Sequence, residues 1–318
     1  MSSLHDHLLT SSKREPPHRW AIAYHASLVA VYAITATGIV YLKLAMSEAV
    51  VDSVVFSFWR FVGSSLLLLL AVGISHKGMP RPPRRDLLSF VGLGCLLVLN
   101  QLCANLGVQL AGALISTSLQ PTTPVLSAAM AVAAGQEKFS PTVLAALLLA
   151  VSGAILVALG RGDASSPGSH VSAGCLFITI NTSSFAAYCV LMKPVVREHG
   201  AAVVTAAAQA SGMLLMAALL LLRPLFQTDC PGLSLPAAAY GALAYWIIAI
   251  SFVSYLLISW ANRVLPASTV VLYSVIQPVV GGALSVIFLG ESLRPTDLGA
   301  VCIAIGLFIV ARRPAAHV

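Results

Sequence analysis

The residues able to do chemistry in this 318-residue chain are mostly amides, hydroxyls and phenols set inside long apolar runs. Gln101, Asn105 and Gln109 recur every fourth residue, which places them on one face of a helix, and Asn100 begins a neighbouring stripe. Ser116, Gln120 and Thr123 advance by four and three, as do Tyr273 and Gln277, with Ser274 alongside. Tyr255 and Ser259 form a similar pair, and Tyr32, Thr35, Asn181 and Ser184 are further polar positions in apolar surroundings. Such groups recognise a polar solute by hydrogen bonds, or they bond helices to one another. Serine and threonine have a third use, bonding the preceding turn of their own helix.

Reaction chemistry finds less support. No nucleophile, base and orienting group assemble into a set. The eight histidines show no metal-ligand spacing, and the six cysteines show neither a disulfide framework nor a zinc pattern. Neither a metal nor an organic cofactor is expected. Asn181-Thr182-Ser183 has the form of a glycosylation acceptor but falls within an apolar run. Arg60 is the one basic residue well inside such a run, about two turns from Asp52. Snorkelling or pairing near the surface is the simpler reading for it, and end anchoring suffices for Lys43 and Lys193.

The elements that must position these groups follow from hydropathy. Charged residues make up 9% of the chain, against roughly 25% in soluble domains. About 20 apolar residues cross a hydrocarbon core, and ten segments qualify: 20–46, 53–75, 87–108, 113–134, 141–159, 171–193, 201–222, 236–260, 267–289 and 296–311. The first run exceeds the core of a signal peptide and is expected to be a retained span. Thirteen basic residues fall on the side of the amino terminus and four on the other, so both termini are expected in the cytosol. This arrangement, rather than a nucleic-acid patch, explains the net charge of +7.

A shift of 154 residues superposes Pro124-Val125 on Pro278-Val279, Glu137 on Glu291, Pro141-Thr142 on Pro295-Thr296 and Leu144 on Leu298. The same shift brings Gln101 to Tyr255 and Asn105 to Ser259. Five spans per half is an odd number, so the second half enters the membrane from the opposite side. The expected fold is an all-α integral membrane protein of ten transmembrane helices, built as two inverted five-helix repeats. Its parts are a polar tail over 1–19, repeats over 20–160 and 171–313, a linker over 161–170 and a tail over 314–318. Pro121, Pro124 and Pro278 lie mid-span, where proline frees backbone carbonyls at bilayer depth.

QPTTPVLSAAMAVAAGQEKFSPT and IQPVVGGALSVIFLGESLRPTDLGA resemble the end of the EamA-type repeat of the drug/metabolite transporter superfamily. SYLLISWANRVLPAS and the WRF at Trp59 to Phe61 also look like that family. The resemblance covers both halves and implies a carrier of small metabolites that alternates access around a central cavity. The leading reading is a carrier or exporter of small polar, amino-acid-like solutes, with Gln101, Asn105, Gln120, Thr123, Tyr255, Ser259, Tyr273, Gln277, Tyr32 and Asn181 as candidate binding residues. A nucleotide-sugar or sugar-phosphate antiporter is the alternative, weakened by a single intramembrane arginine. A membrane-embedded enzyme lacks a reactive cluster, a channel lacks charged rings or a filter loop, and a nontransporting scaffold is the alternative of another class. The partners expected are the solute and the lipid bilayer, without nucleic acid; a homodimer is compatible with the sequence. A plasma-membrane location is favoured over an organelle. No acidic residue falls at the centre of a span, so solute exchange or facilitated diffusion is expected rather than carboxylate-coupled proton transport.

Overall fold

The computed structural model describes residues 18–46, 52–75, 84–161, 171–225, 232–289 and 295–311, and every regular element among them is helical. The first half holds α1 (His18–Met46), α2 (Ser53–Ser75), α3 (Leu87–Leu119), α4 (Thr123–Ala133) and α5 (Pro141–Arg161). The second holds α6 (Val171–His199), α7 (Ala201–Leu222), α8 (Ala237–Tyr245), α9 (Tyr255–Asn262), α10 (Ala267–Leu272), α11 (Ile276–Leu289) and α12 (Gly299–Ala311). Five described segments are long and apolar enough to cross a membrane: Ser53–Ser75, Leu87–Gly107, Ser172–His199, Ala201–Leu222 and Ala237–Asn262. The tails, including Asp6 and Glu15, and the junctions carrying Glu48, Asp163, Asp229 and Glu291 lie outside the described residues.

Burial is inverted relative to a soluble bundle. On α2, Ser57, Ser64 and Ser65 are buried while Leu66, Leu70 and Ile74 are exposed, and Leu148, Leu176 and Leu214 are exposed on other helices. Leucine costs nothing against acyl chains, whereas a hydroxyl there lacks a partner, so hydroxyls turn inward.

The halves pack chiefly against each other. α2 lies on α7, α3 on α6 and α7, α5 on α12, and α4 on α6 and α10; α1 meets α11 and the segment between α8 and α9, which also touches α2. Exchanging corresponding helices of the two halves maps this set of pairings onto itself, as a pseudo-two-fold repeat requires.

Three departures from the simple span pattern matter for the site. Helical backbone continues from Leu87 to Leu119, where two spans separated near residue 110 are expected. This stretch is not a straight rod. Asn100 and Gln120 both bond Asn181, yet at 1.5 Å per residue a straight helix would hold them about 30 Å apart, so the chain reverses between them. Second, α4 and α11 are each preceded by a 3₁₀ turn, Gln120–Thr122 and Tyr273–Val275. A proline ring at 124 has no room beside a regular helical carbonyl four residues back, at 120, which lies in the first of those turns. The breaks fall at matching places in the repeat. Third, Trp246–Ser254 is a π-helix between α8 and α9, where a single regular span is expected; such wide turns recur at functional sites.

Asp52 caps α2. Its Oδ1 accepts from the amides of Val54 (2.9 Å) and Val55 (3.0 Å), and its Oδ2 accepts from Arg223 at 2.7 Å. Partial burial pushes this carboxyl up, but Arg223 and the two amides outweigh burial and hold it below the ordinary aspartate value. A depressed folded pKa means that this stabilisation is present above the unfolded value, about 3.9, and fades as pH falls through the folded one. Acidification below about pH 4 is therefore expected to cost the wild-type protein stability that Asp52→Ala has already lost, by roughly 1 kcal/mol for the cap. Melting curves of both proteins from pH 3 to 7 test this; parallel curves would contradict it.

Candidate functional site

A polar cluster sits where α2, α3, α9 and the π-helix meet. Arg60 is 3% exposed, and its Nη1 donates to Gln101 Oε1 at 2.8 Å. Gln101 Nε2 in turn faces Asn105 Oδ1 at 3.4 Å, the contact that four-residue spacing on α3 allows. The guanidinium carbon lies 5.2 Å from the Trp246 ring centre and 5.6 Å from that of Phe61, within the range of cation–π attraction. The Tyr255 hydroxyl faces the same guanidinium.

The π-helix is what makes this possible. Residues nine apart in an α-helix are two and a half turns apart and point to opposite sides. Trp246 and Tyr255 are so spaced, and the wider turns between them bring both to Arg60. Tyr188 packs edge-on against Tyr255, with ring centres 6.1 Å apart, and Tyr32 borders the same group. Tyr32 is 3% exposed and its hydroxyl has no hydrogen-bond partner.

Arg60 is thus buried and bonded to Gln101, contrary to the simpler sequence reading of snorkelling or pairing near the surface, and Asp52 holds Arg223. Lys193 is corrected likewise. It is 4% exposed and donates to the Leu265 carbonyl at 2.8 Å, because α6 continues to His199 and carries Lys193 inside the bundle.

A second cluster lies around Asn181 of α6. Asn181 Nδ2 donates to the Asn100 carbonyl (2.7 Å), Asn100 Nδ2 donates to the Asn181 carbonyl (3.1 Å), and Gln120 Nε2 donates to Asn181 Oδ1 (2.8 Å). These bonds tie α6 to both arms of the reversal in the first half. Thr123 bonds the Gln120 carbonyl within its own turn. Ser259 is fully buried, sharing a 2.6 Å bond with Thr205 and facing Met192 Sδ, an arrangement that joins helices. Tyr273 shares a 2.8 Å bond with His25 of α1, and Gln277 is half-buried at the start of α11. The structure therefore gathers Gln101, Asn105 and Tyr255 around Arg60, sets Tyr32 beside Tyr255, places Gln120 and Asn181 together, and sets Thr123, Ser259, Tyr273 and Gln277 apart from the Arg60 cluster. The side chains of Gln109, Ser116 and Pro278 lie outside the described part.

At the end of the bundle opposite Asp52, the half-buried Glu137 carboxylate accepts from the Ser268 amide at 3.1 Å and from Ser268 Oγ. The amide belongs to the first turn of α10, one of the donors a helix leaves unsatisfied. Gln136 Nε2 donates to the Val190 carbonyl and Asn262 Nδ2 to that of Cys189. Nearby, Asp86, Glu198 and His199 lie within 4.8 Å of one another, but Arg85 bonds Glu198 at 2.7 Å and His199 meets Asp86 at 3.0 Å, which makes an ion-pair cluster.

The sequence profile of the EamA-like transporter family matches residues 22–159 and 172–312, one repeat in each half. The chain belongs to that family. It is an integral membrane protein of the drug/metabolite transporter superfamily, whose members are transporters and not enzymes. A solved crystal structure of a protein 18% identical superposes with a TM-score of 0.71, covering 92% of this chain and 99% of that one, which shows a shared fold. Within this EamA-like chain, Arg60 and Trp246 are members of the buried cluster that the hydrogen-bonding stripes did not indicate. The available signal was the charge itself, since an intramembrane arginine is costly unless used.

Proposed function

We propose that this protein is a secondary carrier of small polar organic solutes that crosses the membrane ten times, with both termini cytosolic, and alternates access between its two inverted halves. The observation that carries the reading is the pair of 3₁₀ turns, Gln120–Thr122 and Tyr273–Val275, at matching positions of the two repeats and flanked by polar side chains. Broken helices at a repeat interface are where carriers bind solute. Gln101, Asn105 and Tyr255 beside Arg60, with Tyr32 next to Tyr255, are the residues proposed to face it. The thirteen-to-four distribution of basic residues supports the orientation, with the plasma membrane as the proposed location. The absence of an acid at the centre of any span supports exchange or facilitated diffusion.

Purified protein in proteoliposomes, offered labelled amino acids, nucleosides, organic acids and sugar phosphates, is expected to move at least one class faster than protein-free vesicles do. For that class Asn105→Ala and Tyr255→Phe should slow uptake about two- to tenfold, the worth of one hydrogen bond each, at equal incorporation. An imposed pH gradient should not drive accumulation. Flux of no class above background would sink the carrier reading, and proton-driven accumulation lost on neutralising Glu137 would sink the coupling mode.

A further inference from the structure

A full positive charge stands at Arg60 about 12 Å along α2 from Asp52, and among the described residues no carboxylate answers it. Asp52 is held by Arg223, Asp86 by His199, Glu198 by Arg85 and Glu137 by Ser268. Arg60 meets two neutral acceptors, the Gln101 amide oxygen on Nη1 and the Tyr255 hydroxyl, while its Nε is buried without a partner. Around it stand the faces of Trp246 and Phe61 and the phenol of Tyr255. A desolvated ion with incomplete hydrogen bonding is costly. The π-helix, itself an irregularity, is spent on turning two aromatic residues toward this ion.

We propose that Arg60 binds a carboxylate of the transported solute, a small monocarboxylate with an apolar body, and that Gln101 occupies that place when solute is absent. The proposal rests on the carrier reading above for the word transported, but binding itself does not. A guanidinium offers two parallel N–H groups to a carboxylate, satisfying Nε together with a terminal nitrogen, where an amide oxygen takes one. Phosphate is disfavoured because no second cation converges: Lys193 is committed to the Leu265 carbonyl and Arg223 to Asp52. The aromatic faces provide for an apolar body.

The test uses full-length purified protein and three matched probes, phenylacetate, phenylacetamide and phenyl phosphate, with thermal stabilisation read against concentration. Phenylacetate is expected to stabilise the wild-type protein and the isosteric neutral amide to do so at least tenfold more weakly. Arg60→Gln should weaken phenylacetate by tenfold or more, and Arg60→Lys nearly as much, since a point charge lacks the fork. Gln101→Ala should tighten phenylacetate two- to tenfold by removing the resident acceptor, and it decides the matter if the Arg60 variants do not fold. Equal response to amide and acid, a folded Arg60→Gln with unchanged affinity, unchanged or weaker binding in Gln101→Ala, or tighter binding of phenyl phosphate would each overturn the proposal. Arg60-dependent binding without flux of any solute would leave this site standing and sink the carrier; flux indifferent to Arg60→Gln would do the reverse.

Discussion

Replacing Glu137 by alanine is expected to raise amide hydrogen exchange across residues 262–272 about tenfold, because charge-assisted hydrogen bonds are worth roughly 1.5–3 kcal/mol and 1.4 kcal/mol is a factor of ten. Glu137 comes from the turn between α4 and α5 in the first half, whereas the amide and hydroxyl it receives belong to Ser268 of the second. Lys193 beside it holds the Leu265 carbonyl, one residue before the proline that opens α10. The contact closes one end of the bundle across the repeat boundary. A movement of one half against the other that opened this end would have to break it, and a variant lacking it should visit the open arrangement more often. Ser268→Ala retains the amide bond and should fall between wild type and Glu137→Ala. Unchanged exchange in Glu137→Ala would mean that the contact is decorative and the closure is held by packing alone.

The second large effect is expected where α5 meets α12. A Cβ at Gly306 would stand 2.7 Å from the Ala146 carbonyl oxygen and 2.8 Å from Ala150 Cβ, and one at Gly153 would meet the Gly299 carbonyl closer still, with Cys302 Cβ at 2.8 Å. Two backbones approach at two points, and neither carbonyl can swing aside as a side chain would. Membrane helices associate through such close approach because lipid supplies no hydrophobic drive between them. Leucine at either glycine should therefore cost about 1–3 kcal/mol by forcing the helices apart, read as loss of monodisperse protein after heating in detergent. Gly73→Leu is the control, because nothing lies within 4 Å of the Cβ position there; it is expected to change stability by about 0.5 kcal/mol at most. Similar losses at Gly73 and Gly306 would show that the close approach does not matter.

Local pattern made a large part of this protein legible. Runs of about 20 apolar residues mark helices because an unpaired backbone is intolerable in hydrocarbon, and the described helices over Ser53–Ser75, Ser172–His199 and Ala201–Leu222 fall where those runs do. Four-residue spacing put Gln101 beside Asn105, since that contact lies within one helix. Proline chemistry marked the middle of the fourth and ninth spans as irregular, and 3₁₀ turns stand there, the first just before Pro124, since proline disturbs the turn that precedes it in the same chain. Tertiary structure decided which stripe met which. Arg60 and Gln101 are far apart in sequence and on different helices, and nothing in the period of either dictates that their faces meet. Asn181 read as one more polar residue, yet its three bonds fold the long α3 backbone into a reversal. The π-helix left no trace in hydropathy, because Trp246–Ser254 is apolar on nearly every side and an apolar run reads the same at any helical pitch. Lys193 looked like an end anchor because a charge near the limit of an apolar run has two stable solutions, the interface or a buried carbonyl. Only the turn of α9 into α10 beside it supplies the carbonyl.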